Sequence, residues 1–79
     1  MFIITEPIDG KDATAGNGLT IAFNVKSEEE GDLWHQTGID NGGVSIEEDP
    51  GVRDYGEMKI YLAYLRDPSG NKLCAIKRM

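Results

Sequence analysis

The chain carries one thiol, Cys74, and one imidazole, His35, the two side-chain types that can form a nucleophilic pair or begin a zinc site. Cys74 lies in a short apolar segment, which favours a small buried side chain. Lys72 is two residues away on the same strand face and could activate the thiol, so a reactive cysteine stays open. His35 follows Trp34 on a predicted helix, and we expect it to face solvent. We expect no Cys–His pair, because we predict Cys74 and the helix on opposite sides of a sheet.

Other candidate chemical motifs fit solvated surface better than a site. The acidic runs Glu28–Glu30 and Glu47–Asp49 do not have the spacing of a calcium loop. The Gly16-Asn17-Gly18 stretch precedes a strand, whereas a phosphate-binding glycine loop precedes a helix. The sequence therefore predicts no metal site and no phosphate site at these positions.

Charge and cysteine content narrow the function classes. Fourteen acidic and eight basic residues give a formal charge of -6, which argues against a nucleic-acid partner. A single cysteine cannot form an internal disulfide, which fits a reducing compartment. No basic leader follows Met1, and no apolar run approaches the roughly 20 residues of a membrane span. We expect a cytoplasmic protein without membrane contact.

A strand and a helix are predicted in the first half of the chain. Residues 19–25 alternate, with Ile21, Phe23 and Val25 on one face and smaller side chains on the other. Ser27 and Glu30 form a capping box that opens a helix, and the glycine pair 42–43 is expected to end it. Glycines within this helix lower its intrinsic stability, so Trp34 is expected to anchor it by packing.

The second half predicts a strand pair. Residues 44–46 are a short possible strand, and 47–51 are expected to be irregular. Residues 59–65 form a strong strand, and the turn Asp67-Pro68-Ser69-Gly70 leads into a return strand over 72–76. We expect Tyr64, Ile60 and Leu62 beneath the helix, and the alternate side chains Tyr61, Ala63 and Leu65 on the other face.

The N-terminal region is predicted as a separate unit over residues 1–18. Residues 2–5 are β-branched and aromatic and predict a strand that ends before Pro7. Residues 7–18 are rich in Gly, Pro, Asp and Asn and predict a linker. The remaining residues, 19–79, then form one α+β module of order β-α-β-β-β.

Four segments of the chain resemble a known family. They are GLTIAF (18–23), the helix with Trp34-His35, the glycine pair 42–43, and YLAYLRDPSGNKLCAI (61–76), of which RDPSGNKL is the most specific. Together they resemble the second half of proteins of the glyoxalase/bleomycin-resistance/dioxygenase, or vicinal oxygen chelate, superfamily. Residues 2–18 look like the last strand of a first module and its linker.

The resemblance implies a βαβββ module that pairs with a second one into an eight-stranded, barrel-like sheet around a cleft. In the family's enzymes His and Glu side chains in this cleft hold a divalent metal, and two of these positions correspond to Thr20 and Cys74. A hydroxyl and a thiol do not make such a site, so we expect no metal and no other cofactor. The residues expected to line a ligand-binding cleft are Thr20, Ala22, Asn24, Tyr61, Ala63 and Cys74.

One module would leave the cleft face open to water, so we expect a homodimer, with residues 2–5 exchanged onto the partner's sheet edge. The favoured function is a degenerate, non-enzymatic member of the superfamily that binds a small molecule. The alternative is a metal-dependent enzyme resembling lactoylglutathione lyase, with ligands drawn from Glu6, Glu57 or His35. A third possibility is a subunit that needs a separate first module.

Overall fold

The structure is a computed structural model that describes residues 1–79. One helix and five strands form the fold, which confirms the predicted α+β class. The elements are β1 (Ile21–Asn24), α1 (Glu28–Asp40), β2 (Val44–Ser45), β3 (Gly51–Asp54), β4 (Lys59–Arg66) and β5 (Lys72–Arg78). The helix has 13 residues, and it is neither long nor apolar enough to cross a bilayer.

Strand β4 lies at the centre of the sheet. One of its edges pairs antiparallel with β5 from Ile60 to Arg66, and β5 in turn pairs parallel with β1. Two short strands share the other edge, β2 beside Leu65 and Arg66 and β3 beside residues 59–62. Strand β3 was not predicted, because its Gly-Val-Arg-Asp sequence has one apolar residue and is held as a strand only by pairing with β4.

The predicted ends of the helix are confirmed. Ser27 is the N-cap, and its Oγ accepts a hydrogen bond from the Glu30 amide at 3.0 Å. The Glu30 carboxylate accepts from the Lys26 amide at 2.9 Å, one residue before the cap. The helix ends at Asp40, and Gly42 then takes the left-handed conformation with φ of 98°.

The turn between β4 and β5 is organised by Asp67. Its carboxylate accepts hydrogen bonds from the Ser69 amide at 3.0 Å and from the Asn71 amide at 2.8 Å. The Asn71 side chain donates a further bond to it at 2.9 Å. These bonds close the predicted turn and set the register of the two long strands.

Helix α1 packs over Tyr61, Ala63 and Leu65, so the predicted facing of β4 is wrong. The Tyr61 hydroxyl donates a 2.6 Å hydrogen bond to Asp32 on the helix, and Tyr61 is 1% exposed. A Cβ built on Gly31 would lie 2.2 Å from the Tyr61 ring, so only glycine permits this approach. Tyr64, Ile60 and Leu62 consequently face away from the helix.

Aromatic and small side chains make the core beneath the helix. Val25, Tyr61, Ala63 and Ala75 form a buried cluster, and Trp34 packs against it. The Trp34 ring lies 6.2 Å from the Phe23 ring, centroid to centroid. Trp34 therefore anchors the helix as predicted.

Residues 1–20 contain no helix or strand, so the strand predicted over 2–5 does not form in the single chain. One contact ties the beginning of this segment to the module. The Phe2 ring packs edge-on against Phe23 at a centroid distance of 5.3 Å. The division at residues 18 and 19 remains a prediction.

Candidate functional site

The side of the sheet opposite α1 carries no helix, and we call it the open face. Register places Ala22 beside Cys74 and Tyr64 beside Cys74, while Leu62 lies opposite Ile76. Neighbouring residues in register share a face, so these side chains and that of Asn24 project together from β1, β5 and β4. The polar groups on this otherwise apolar face include the amide of Asn24, the thiol of Cys74 and the phenol of Tyr64.

The structure brings together only part of the predicted site. Ala22, Asn24 and Cys74 lie on the open face, and Thr20 is an exposed residue just before β1. Tyr61 and Ala63 lie beneath α1, so their predicted place in the cleft is wrong. Tyr64 and Leu62 take their positions on the open face. Alternation along β4 placed these residues in two groups, but it did not identify which group faced the helix.

Cys74 is buried although it belongs to the open face. Only 3% of the residue is exposed, and Tyr64 and Ala22 flank it on the neighbouring strands. Burial, assisted by the negative charge of Glu47, raises the pKa of the Cys74 thiol against the opposing charge of Lys72. The thiol is therefore protonated at neutral pH and is not an activated nucleophile.

An ion pair lies above Tyr64 on the open face. The Lys72 ammonium is 3.1 Å from a Glu47 carboxylate oxygen and 4.9 Å from the centroid of the Tyr64 ring. Glu47 has a φ of 58°, a left-handed conformation that is costly for a residue with a side chain. Burial raises the pKa of the Tyr64 phenol, so this group is a neutral hydrogen-bond donor at physiological pH.

A depression of about 410 Å³ adjoins this ion pair. Its lining combines aromatic, aliphatic and charged residues: Glu47, Glu48, Val52, Arg53, Asp54, Tyr55, Leu62 and Tyr64. The Arg53 guanidinium donates hydrogen bonds of 3.0 Å to the carbonyls of Asp49 and Gly51, which fixes the chain at the start of β3. This arrangement can hold an apolar group on Leu62 and offer polar partners at its rim.

A second depression, about 570 Å³ in volume, lies on the helix side of the sheet. Trp34, Leu65 and Leu73 are among its lining residues, beside the turn at Pro68. It contains none of the predicted site residues. Its lining also includes four polar or charged residues, Glu30, Thr37, Asn41 and Asp67.

His35 is not the solvated residue that the sequence predicted. It is 9% exposed, and its Nε2 lies 3.1 Å from both the Ser45 hydroxyl and the Tyr64 carbonyl oxygen. A lone histidine beside a tryptophan gave no sequence signal for these partners, which lie 10 and 29 residues away. His35 belongs to the helix on the other side of the sheet from Cys74, so the two do not form a nucleophilic pair.

The side chains of this chain do not fit the divalent metal that the resemblance implies. No group of three or more His, Cys, Asp or Glu residues is arranged to hold a metal ion. Of the alternative ligands, Glu6 and Glu57 are exposed in separate connecting segments, and His35 is engaged with Ser45 and Tyr64. A protonated buried thiol and a hydroxyl are an inadequate donor set.

The fold and its open face define a single glyoxalase-like βαβββ module. The structure is similar to the crystal structure of a glyoxalase/bleomycin resistance protein from Albidiferax ferrireducens T118, with a TM-score of 0.84 and 56% sequence identity. The match covers 89% of this chain and 56% of that chain. The chain therefore belongs to the glyoxalase/bleomycin resistance protein superfamily. It spans little more than half the length of this relative.

A second match shows the fold alone. The hypothetical protein SA1046 from S. aureus superposes with a TM-score of 0.64 at 24% identity, over 77% of this chain and 50% of that one. No protein-family model and no curated protein matches the chain.

Proposed function

We propose that the open face forms one wall of a cleft that binds a small organic molecule, and that a second copy of the chain forms the other wall. The observation that carries this proposal is the helix-free sheet surface opposite α1, where Ala22 and Asn24 are exposed although Leu62 and Cys74 are largely buried. Leu62 and Ile76 offer an apolar floor there, while Asn24 and Tyr64 offer hydrogen bonds. An apolar surface with a few polar groups is typical of ligand sites and of interfaces.

A two-fold partner is the simplest means of closing such a face. The outer edge of β1 is unpaired in the single chain, since β1 bonds only to β5. The exposed side chains of Phe2, Ile3 and Ile4 are suited to strand exchange onto the partner's sheet. In this dimer the Phe2–Phe23 contact would be replaced by contacts between the chains.

Binding without a metal is the second part of the proposal. Thr20 and Cys74 stand at the positions where the resemblance implies metal ligands, and a hydroxyl with a single thiol falls short of the three or four donors that a divalent ion such as zinc requires. We therefore infer that the cleft recognises its ligand through shape, apolar contact and hydrogen bonds, and that the chain is not a metal-dependent lyase.

Sedimentation velocity at micromolar concentration tests the dimer. We expect a dimer for the unchanged chain, and Ala22→Arg should weaken it by at least about tenfold, because an arginine on the shared face buries an unpaired charge. Thr37→Arg, on the exposed surface of α1, is the matched control and should leave the dimer intact. An unchanged chain that sediments as a monomer contradicts the proposal.

Elemental analysis and ligand-observed NMR test the binding mode. Protein purified without chelators should carry far less than one equivalent of zinc, nickel, iron or manganese. A screen of small organic molecules should yield binders whose signals depend on Tyr64 and are lost in Tyr64→Ala. Stoichiometric metal that disappears in Cys74→Ala would instead support the enzymatic alternative.

A further inference from the structure

The edge of β4 is covered by two strands that are separated by a gap. Strand β2 leaves β4 after Ser45, which pairs with Leu65, and β3 rejoins it at Gly51, which pairs with Leu62. We call residues 46–50 the β2–β3 break. Within it the Ile46 amide still points at the Tyr64 carbonyl, but at 3.5 Å the bond is weak.

His35 supplies a stronger bond to the same carbonyl. Its Nε2 lies 3.1 Å from the Tyr64 oxygen, which can only accept, so Nε2 must carry the proton. The Ser45 hydroxyl oxygen is also 3.1 Å from Nε2 and is a second acceptor for that proton. One nearly buried side chain of α1 thus joins the last residue of β2 to the strand it is leaving.

The β2–β3 break carries the groups that shape the open face. Glu47 lies two residues after Ser45 and has the left-handed φ of 58°. Its carboxylate meets Lys72 at 3.1 Å, and the Lys72 ammonium lies above the Tyr64 ring. The Tyr64 backbone carbonyl therefore accepts the hydrogen bond from His35, while the Glu47–Lys72 ion pair lies above the Tyr64 ring.

From this geometry we infer that His35 is a positioning residue for the ligand-binding face, acting from the opposite side of the sheet. It holds Ser45 against Tyr64, which fixes the start of the break and keeps Glu47 in its left-handed conformation. Glu47 then holds Lys72 above Tyr64 and Cys74. The inference concerns the face named under the proposed function and rests on that function for its biological meaning.

This role does not depend on the charge of the imidazole. A proton added at Nδ1 leaves the Nε2–H donor in place, so both the neutral ring and the imidazolium can bond to Tyr64 and Ser45. The groups facing His35 at this contact are a hydroxyl and a carbonyl, and neither titrates in the physiological range.

The sole thiol offers a direct readout, because Cys74 lies next to Tyr64 on the open face and is 3% exposed. Its modification rate by an aromatic disulfide reagent measures how often the surrounding side chains open. In His35→Leu the Tyr64 carbonyl loses its stronger donor, and we expect the rate without denaturant to rise at least about fivefold. His35→Gln, which can place an amide N–H near the Nε2 position, should restore the rate to within about twofold of the unchanged chain.

Denaturant dependence separates local opening from loss of global stability. In His35→Leu the added reactivity should be nearly independent of low urea concentrations, since the opening exposes little surface. Val25→Ala is the matched control, because Val25 is buried in the core and distant in sequence from the break. Its added reactivity should rise with urea in parallel with global unfolding.

A double-mutant cycle with Glu47→Gln tests the connection to the ion pair. If His35 acts by positioning Glu47, then Glu47→Gln should accelerate modification in the unchanged chain and change little in His35→Leu. Any one of three results would overturn the inference. These are equal modification rates for His35→Leu and His35→Gln, a urea dependence of the His35→Leu rate like that of Val25→Ala, or additive effects of the two substitutions in the cycle. The thiol-modification assay uses neither ligand nor metal. Repeating it at several protein concentrations distinguishes local opening from dimer dissociation. The role of His35 can therefore be supported even if the proposed ligand binding or the proposed dimer is refuted.

Discussion

Gly31 makes the closest contact between α1 and the sheet, and replacing it with alanine tests that contact. A Cβ at this position would lie 2.2 Å from Cε1 of Tyr61 and 2.6 Å from both Cζ and the hydroxyl oxygen. These distances are far below van der Waals contact. Tyr61 is 1% exposed and has no room to withdraw, so either the ring or the helix must move.

Two opposing effects set the magnitude for Gly31→Ala. Alanine improves intrinsic helix stability by about 1 kcal/mol over glycine. Overpacking a close contact costs about 1–3 kcal/mol, and displacement of the ring would lose about 1 kcal/mol more from the hydrogen bond to Asp32. The net expectation is a loss of about 1–3 kcal/mol in the free energy of unfolding, which is large for a module of this size.

Urea unfolding followed by the fluorescence of Trp34, the only tryptophan, measures this loss. The same substitution should be repeated in a Tyr61→Leu background, where the ring is absent. There Gly31→Ala should be neutral or stabilising by up to about 1 kcal/mol, since only the helix preference remains. Thr37→Ala, at an exposed position of α1, controls for helix propensity and should change stability by a few tenths of a kcal/mol at most.

A stabilising Gly31→Ala in the unchanged background would refute the packing of Tyr61 beneath α1. An equal loss of unfolding free energy in the two backgrounds would refute it as well, because a loss that does not depend on the Tyr61 ring must come from the backbone. Either result would also return Tyr61 to the cleft where the sequence had placed it.

Three further predictions concern single polar groups. Burial, followed by the hydrogen bond to Asp32, raises the pKa of Tyr61, so the free energy of unfolding should fall above pH 10.0, the ordinary phenol value, where only the unfolded chain loses the proton. Tyr61→Phe should remove most of this pH dependence, measured by urea unfolding at a series of pH values, and should cost about 1 kcal/mol at neutral pH. Burial likewise raises the pKa of Cys74, so stability should begin to fall above pH 9.0, and Cys74→Ala should remove that part of the loss; an unchanged slope would contradict the burial of the thiol. Burial acts to raise the pKa of Asp67, but hydrogen bonds, chiefly from Asn71, lower it, so the stability that these bonds provide is present above the ordinary value of 3.8 and is lost as the pH falls through the lowered pKa. Asp67→Asn should lose about 1–2 kcal/mol of unfolding free energy at neutral pH, and its stability, followed by circular dichroism, should depend less on acid.

Local signals predicted most of the elements correctly. The capping box at Ser27 and Glu30, the glycine after α1 and the turn at Asp67 each involve bonds between residues close in sequence. Such interactions need no tertiary context, and their positions were confirmed. The strand predicted over 2–5 does not form in the single chain, because a β-branched run becomes a strand only when another strand bonds to it.

The candidate site was harder to predict than the fold. Ala22, Asn24 and Cys74 do share one face, as alternation requires, but Tyr61 and Ala63 lie on the other. A signal was present in Gly31 and Gly38, which are two helical turns apart and lie over Tyr61 and Leu65. We interpreted these glycines only as a loss of helix stability, whereas they mark where large side chains approach the helix.

The sequence by itself determined the order of the elements, the helix cap and the turns, because these depend on neighbouring residues. Only the tertiary structure decided which side of β4 faces the helix, since both sides of that strand are apolar and alternation does not distinguish them. It also decided the place of His35, whose partners are supplied by β2 and β4. The physical reason is that facing depends on the fit between two surfaces, such as Tyr61 beneath Gly31, and neither surface alone carries that information.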